Sequence, residues 1–148
     1  MKHCTFWGET ADDERLVAAI IAGLKTATCE PKIWAEDPDN DEEPAEPGEQ
    51  VAVMSKRGRH LCTIEITEKY EVPFGQADEK LVKGEACRDL AHFKEAHRKA
   101  WGKDLKREGH PLTDETVLVA QHFRLVSVEP AGRTLIGAPP VDAPGRGG

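Results

Sequence analysis

Apolar residues recur at helical spacing between Leu16 and Leu24, where Leu16, Val17, Ile20, Ile21 and Leu24 share one face. The cap candidate Thr10 and the acidic stretch Asp12, Asp13 and Glu14 precede them, and Gly23 is the expected stop. Beyond it, Thr26 to Cys29 lean towards a strand. The spacing then changes to a period of two. Val51 to Lys56 and Leu61 to Val72 read as strands joined by a hairpin at Arg57-Gly58-Arg59-His60. In the second, Leu61, Thr63, Glu65 and Thr67 face one way and Cys62, Ile64 and Ile66 the other, so one side should meet water. A second helix is predicted from Asp89 to Trp101, with Leu90, Phe93, His97, Ala100 and Trp101 aligned and Gly102 as its end. Thr116 to Val128 is the last long strand. A short mixture of helices and non-parallel strands is an α+β or small-barrel pattern, and no internal repeat is visible.

Composition adds limits to this outline. The 148 residues suit one compact domain with a modest core that is mainly aliphatic, since aromatic residues are few. The expected domain is 1–136 with an acidic loop, 36–47, inserted, and a Pro/Gly-rich tail, 137–148, is expected to be disordered. The net charge of −7 is uneven: Glu36, Asp37, Asp39, Asp41, Glu42, Glu43 and Glu46 supply seven negative charges without a nearby Lys or Arg, and the rest is formally neutral. Such a run predicts a solvated, mobile loop. Lys56, Arg57, Arg59, Arg88, Lys94, Arg98, Lys99, Lys103, Lys106 and Arg107 then make either a wet helix face or a local basic patch. A weak patch favours a small nucleotide-like ligand over long nucleic acid, which needs many phosphate contacts. Cys4, Cys29, Cys62 and Cys87 are scattered, as reduced thiols would be, and Cys29 and Cys62 read first as small strand residues. No stretch has the length of a membrane span, so a soluble cytoplasmic protein is expected.

The candidate chemistry lies in Gly23-Leu24-Lys25-Thr26-Ala27-Thr28, where a lysine and a threonine share the connection from helix to strand. Lysine near a helix end also suits the macrodipole, and threonine is common where a strand starts. The functional reading needs a lysine whose pKa is lowered towards working pH, so that it can activate the threonine hydroxyl. Because both residues lie on a connection, replacing either with alanine is expected to leave folding nearly unchanged. The histidines show no metal spacing: His92 and His97 are five apart, and His97 on an apolar helix face reads as a core histidine.

The segment resembles the GxKxxT signature of the ASCH domain family, and the likeness extends over most of the chain. It includes Phe6-Trp7-Gly8, Pro47-Gly48-Glu49, Cys62-Thr63-Ile64 through Val72-Pro73-Phe74, and Gly84-Glu85 before a helix with Phe93 and His97. Val82-Lys83-Gly84-Glu85-Ala86-Cys87 departs from the Glu-Gly-Glu-Gly-Asp of many relatives, keeping only the second glutamate. The resemblance implies an α+β, PUA-like small β-barrel with flanking α-helices. It also implies an amidohydrolase that removes the acetyl group from N(4)-acetylcytidine with Lys25, Thr28 and Glu85.

Two other readings come with the family: a single-strand ribonuclease, with a divalent metal as its only expected cofactor, and a non-catalytic RNA-binding module. The partner is accordingly a modified nucleoside or single-stranded RNA. Thr26 could offer a hydroxyl to an oxyanion or base edge, Trp34 and Trp7 could stack on a base, and Arg88 could bind substrate. The alternatives are core packing for both tryptophans and, for Glu85, an acidic residue favouring the start of the helix near Arg88.

Overall fold

The computed structural model describes residues 1–6, 14–40 and 42–136. Five strands, β1 (Lys2–Thr5), β2 (Ala27–Pro31), β3 (Gln50–Met54), β4 (His60–Pro73) and β5 (Val117–Val128), form one sheet in the order β1-β3-β4-β5-β2. β1 runs parallel to β3, and the other pairs are antiparallel. The register between β4 and β5 shifts at Thr63/Ile64 and again at Ile66/Glu68. Bulges of this kind bend and twist a long strand, and here they curl the sheet into a half-barrel. Helices α1 (Arg15–Ile21), α2 (Lys32–Ala35), α3 (Glu79–Gly84) and α4 (Leu90–Arg107) flank it.

Two apolar clusters fill the domain. Leu16, Val17 and Ile20 of α1 pack with Val51, Ile64, Ile66 and Phe123 in one, while Phe93, Trp101 and Leu105 of α4 pack with Leu81, Leu118 and Ala120 in the other. The first helix ends where expected, with Gly23 at φ 79°. Thr10, Asp12 and Asp13 lie outside the described residues, and the Glu14 carboxylate binds Arg59 at 3.0 Å.

Several expectations are corrected. The second helix does not stop at Gly102. It continues to Arg107 because Leu105 is a buried anchor, and the turn comes at Gly109, φ 84°. Gly102 lies mid-helix at a propensity cost of about 1 kcal/mol, which the packing of Trp101 and Leu105 outweighs. Leu61 and Thr63 are buried like Cys62 and Ile64, so the first half of β4 has no wet face. The segment Pro130–Leu135 crosses there; the Glu129 N–H donates to the Leu61 carbonyl at 3.0 Å, and a Cβ on Gly132 would sit 2.0 Å from that oxygen.

The described acidic side chains of the 36–47 stretch are exposed, as expected of a solvated run, but its backbone is anchored to the sheet. Ala45 is buried, Lys2 Nζ donates to the Pro44 carbonyl at 2.6 Å, and the Thr5 N–H donates to Glu42 Oε1 at 2.8 Å. Gln121 Nε2 donates to the Ala45 carbonyl at 3.2 Å. Charge composition missed this because most of the anchors are backbone groups and one alanine, joined by the Glu42 carboxylate.

Candidate active site

The left-handed turn at Gly23 brings the N–H groups of Leu24 and Lys25 to the Ala19 carbonyl, at 2.9 and 3.1 Å. Thr26 then fixes the chain through its backbone, donating to the Gly84 carbonyl at 2.8 Å and accepting from the Phe123 N–H at 2.9 Å. These bonds turn the Lys25 side chain inwards, where the residue keeps only 2% exposure. Its Nζ donates to Glu85 Oε1 at 2.6 Å and to the Ala27 carbonyl at 2.9 Å, and lies 5.7 Å from the centre of the Phe6 ring.

Glu85 follows the last residue of α3, so it does not open the helix near Arg88; that helix is capped by Asp89, which accepts from the His92 N–H at 2.8 Å. Gly84 explains why the glutamate reaches so far. A Cβ there would lie 2.7 Å from the Ala27 Cβ, so only glycine lets α3 press on the signature strand. The turn after it puts Ala86 at φ 61°, a strained position for a residue with a side chain.

Glu85 Oε2 receives two more donors, Cys29 Sγ at 2.8 Å and His97 Nε2 at 3.1 Å. His97 Nδ1 lies 2.7 Å from the Phe93 carbonyl. Both ring nitrogens therefore face oxygen atoms, the Phe93 carbonyl on one side and the Glu85 carboxylate on the other. The rings of Phe93 and Trp101 flank the imidazole at 4.1 and 4.4 Å between centroids. Burial alone would raise the Glu85 carboxyl, but Lys25, His97 and Cys29 together hold it down at about 2. Burial, and then the Glu85 charge, push the Cys29 thiol well above its ordinary range.

Glu85 is thus a carboxylate that Lys25 Nζ faces as a donor at 2.6 Å. Cys29 is not merely a small strand residue. The ligand atoms of Cys29, Glu85 and His97 all lie within 4.8 Å of one another, a donor set that suits a transition metal. Their separations are hydrogen-bond lengths, however, and the ammonium on the other oxygen would repel a cation.

Along β2, Ala27, Cys29 and Pro31 are buried, while Thr28 and Glu30 are half-buried and, with Cys29, line a cavity of about 790 Å³. Phe6, Tyr70, Gln121 and Phe123 also line it, and the acidic stretch closes one side. The Ala27 carbonyl that accepts from Lys25 belongs to the peptide joining Ala27 to Thr28, so the ammonium is one peptide from the threonine.

The remaining proposed contacts do not converge here. Trp34 packs edge-on against Trp101 at 6.2 Å, donates from Nε1 to Glu108 at 2.7 Å, and is not on the cavity lining. Thr26 is exposed and acts through its backbone. Arg88 is exposed as well, its carbonyl taken by Lys83 Nζ and its N–H by His92 Nδ1. Trp7 lies outside the described residues.

A five-stranded curled sheet with flanking helices, and a buried lysine beside a threonine-lined cavity, define an α+β protein of PUA-like architecture. The family model described as "ASCH domain" matches residues 2–127, and the chain belongs to that family, which is associated with RNA. The chain is similar to the crystal structure of an ASCH domain from Lactobacillus crispatus, with 25% identity and a TM-score of 0.67 over 85% of this chain and 80% of that one. It also resembles a DUF984 protein of Enterococcus faecalis in fold, with 19% identity and a TM-score of 0.70 over 86% and 77% of the two chains. No curated protein matches the sequence. Among the described residues, no helix is long and apolar enough to cross a membrane.

Proposed function

We propose that the protein is an amidohydrolase that removes an acyl group from the exocyclic nitrogen of a cytidine, with N(4)-acetylcytidine as the test substrate. The observation that carries the reading is the 2.6 Å contact between Lys25 and Glu85, both 1% exposed at the side chain and one peptide from a cavity-facing threonine. A buried ion pair is a weak source of stability and is often replaceable by apolar residues, so its presence beside a hydroxyl and a cavity favours chemistry.

Lys25 becomes a base by passing a proton to Glu85 across that contact, an uphill transfer because Glu85 is held far below the usual carboxylate range. Thr28 Oγ then attacks the amide carbonyl as its proton passes, by way of a water in the cavity, to Lys25, whose Nζ lies 5.7 Å from the Phe6 ring on the cavity wall. The C–N bond breaks as Lys25 delivers this proton to the departing amino group, leaving an acyl ester on Thr28. Water adds to the ester, giving its proton to Lys25; the ester bond breaks and Lys25 protonates the threonine oxygen. The released acid ionises, and Lys25 and Glu85 return to ammonium and carboxylate. In this reading Cys29 and His97 hold Glu85 in place.

The test is chromatography of the protein with N(4)-acetylcytidine. Cytidine should appear, and Thr28→Ala should lower its rate by at least about a thousandfold; absence of product, or full activity in that variant, removes the mechanism. Single-stranded RNA with and without manganese is run alongside, and fragments there would favour a ribonuclease. Exposed Lys99, Lys103 and Lys106 on α4 support a second, binding-only reading, in which RNA lies on that helix.

A further inference from the structure

The cavity carries more negative charge than the reaction proposed above calls for. Among the described residues that line it are six carboxylates, Glu30, Glu36, Asp37, Glu42, Glu43 and Glu71, against one lysine, Lys69. That lysine is committed elsewhere, 3.2 Å from Glu46 and 3.3 Å from the Ala45 carbonyl. Lys25, beside the Phe6 wall, is matched by Glu85. Lys32 spans Glu71 and Glu36 at 3.0 and 3.6 Å, so one positive charge offsets one of two. His3 is the other basic group on the lining.

Glu42 and the backbone beside it are held in position. Glu42 accepts from both the N–H and the hydroxyl of Thr5, at 2.8 and 3.3 Å, and the neighbouring Pro44 and Ala45 carbonyls are pinned by Lys2 and Gln121. Between them the walls are aromatic, with Phe6 and Phe123 at 6.3 Å between centroids and Tyr70 nearby.

We infer that the cavity admits an uncharged or cationic nitrogen heterocycle, such as a free nucleoside, and turns away the same compound once it carries a phosphate. The inference rests on the acylated-cytidine reading and names the charge class of its substrate. A phosphate monoester brings about −1.5 to −2 charges at neutral pH. A cleft lined by one sign of charge changes the local concentration of a charged ligand by roughly 10- to 1,000-fold. The acidic stretch, predicted from its charge as a solvated, mobile loop, becomes the filter. Any RNA strand would then dock outside the cavity.

The experiment measures binding of cytidine and of cytidine 5′-monophosphate to the full chain by calorimetry over a salt series, and turnover of N(4)-acetylcytidine and its 5′-monophosphate. Cytidine should bind at least about tenfold more tightly at low salt, and the ratio should fall towards one as salt rises. The combined variant Glu36→Gln, Glu42→Gln, Glu43→Gln should show the same narrowing at low salt, and the salt series on the unaltered protein reads the filter without relying on that variant. Equal binding, tighter binding of the phosphate, a ratio that neither salt nor neutralisation moves, or no binding of either compound overturns the inference. A clear preference for cytidine without hydrolysis of the acetylated compound would sustain the filter and remove the hydrolase reading.

Discussion

Two polar regions meet along β2 and obey opposite rules. On the buried side, Lys25, Glu85, Cys29 and His97 are nearly devoid of solvent, and each charge has a partner within hydrogen-bond distance. On the cavity side, six carboxylates and one lysine are among the described residues of the lining. In the dry region, removing one partner leaves an uncompensated charge at high cost; in the wet one, solvent screens each charge and its loss hardly touches stability. Charge in the first region sets geometry, and in the second it sorts ligands.

The largest expected effect comes from breaking the dry side. Glu85→Ala should cost about 3–5 kcal/mol in urea unfolding, because it strands the ammonium of Lys25. Lys25→Ala should do the same from the other partner, which corrects the expectation that this residue could be removed without harm to folding. The paired change Lys25→Met with Glu85→Leu should fold far better than either single alanine variant. A double variant as unstable as the singles would show that the quartet is held by more than charge balance.

Next in size is the pH dependence. The Glu85 carboxyl lies at about 2 in the fold against an ordinary 4.5. Its folded value is the lower one, so the stabilisation is complete above about pH 4.5 and is lost as pH falls towards about 2, with an amplitude of roughly 3 kcal/mol. Unfolding of the parent protein and of Glu85→Gln across this window should converge at the acid end; parallel curves would contradict the assigned ionisation. Gly84→Ala should cost about 1–3 kcal/mol and slow any turnover, since the added methyl would collide with Ala27 and push α3 away. Smallest is Glu43→Gln on the wet side, expected to change the melting free energy by less than about 0.5 kcal/mol. A large loss there would mean that the cavity rim is structural.

Much of the fold was readable because period and punctuation agree: α1 with Gly23, the β3–β4 hairpin and β5 all lie where the apolar spacing puts them. α3 escaped notice since it has only six residues and an Asp78 cap, too short for periodicity to register. Lys25, Thr28 and Glu85 were legible from the family signature, yet its spacing gave no sign that the lysine would be buried and ion-paired. Cys29 and His97 were read as packing residues. Their bearing on Glu85 depends on α4 crossing β2, a long-range arrangement with no local pattern. Trp34 attracted attention as an aromatic beside the signature, but Trp101 and Glu108 claim it.

The strand order also fixes when the site can exist. Among the described residues β2 bonds to the sheet through β5 alone, so the strand that carries Thr28 finds its neighbour only after Val117–Val128 has emerged. Until then neither the cavity wall nor the turn held by Phe123 is in place. A chain that stops short of β5 would therefore carry the complete signature without a working site, and ligand binding becomes a readout of β5 being in place.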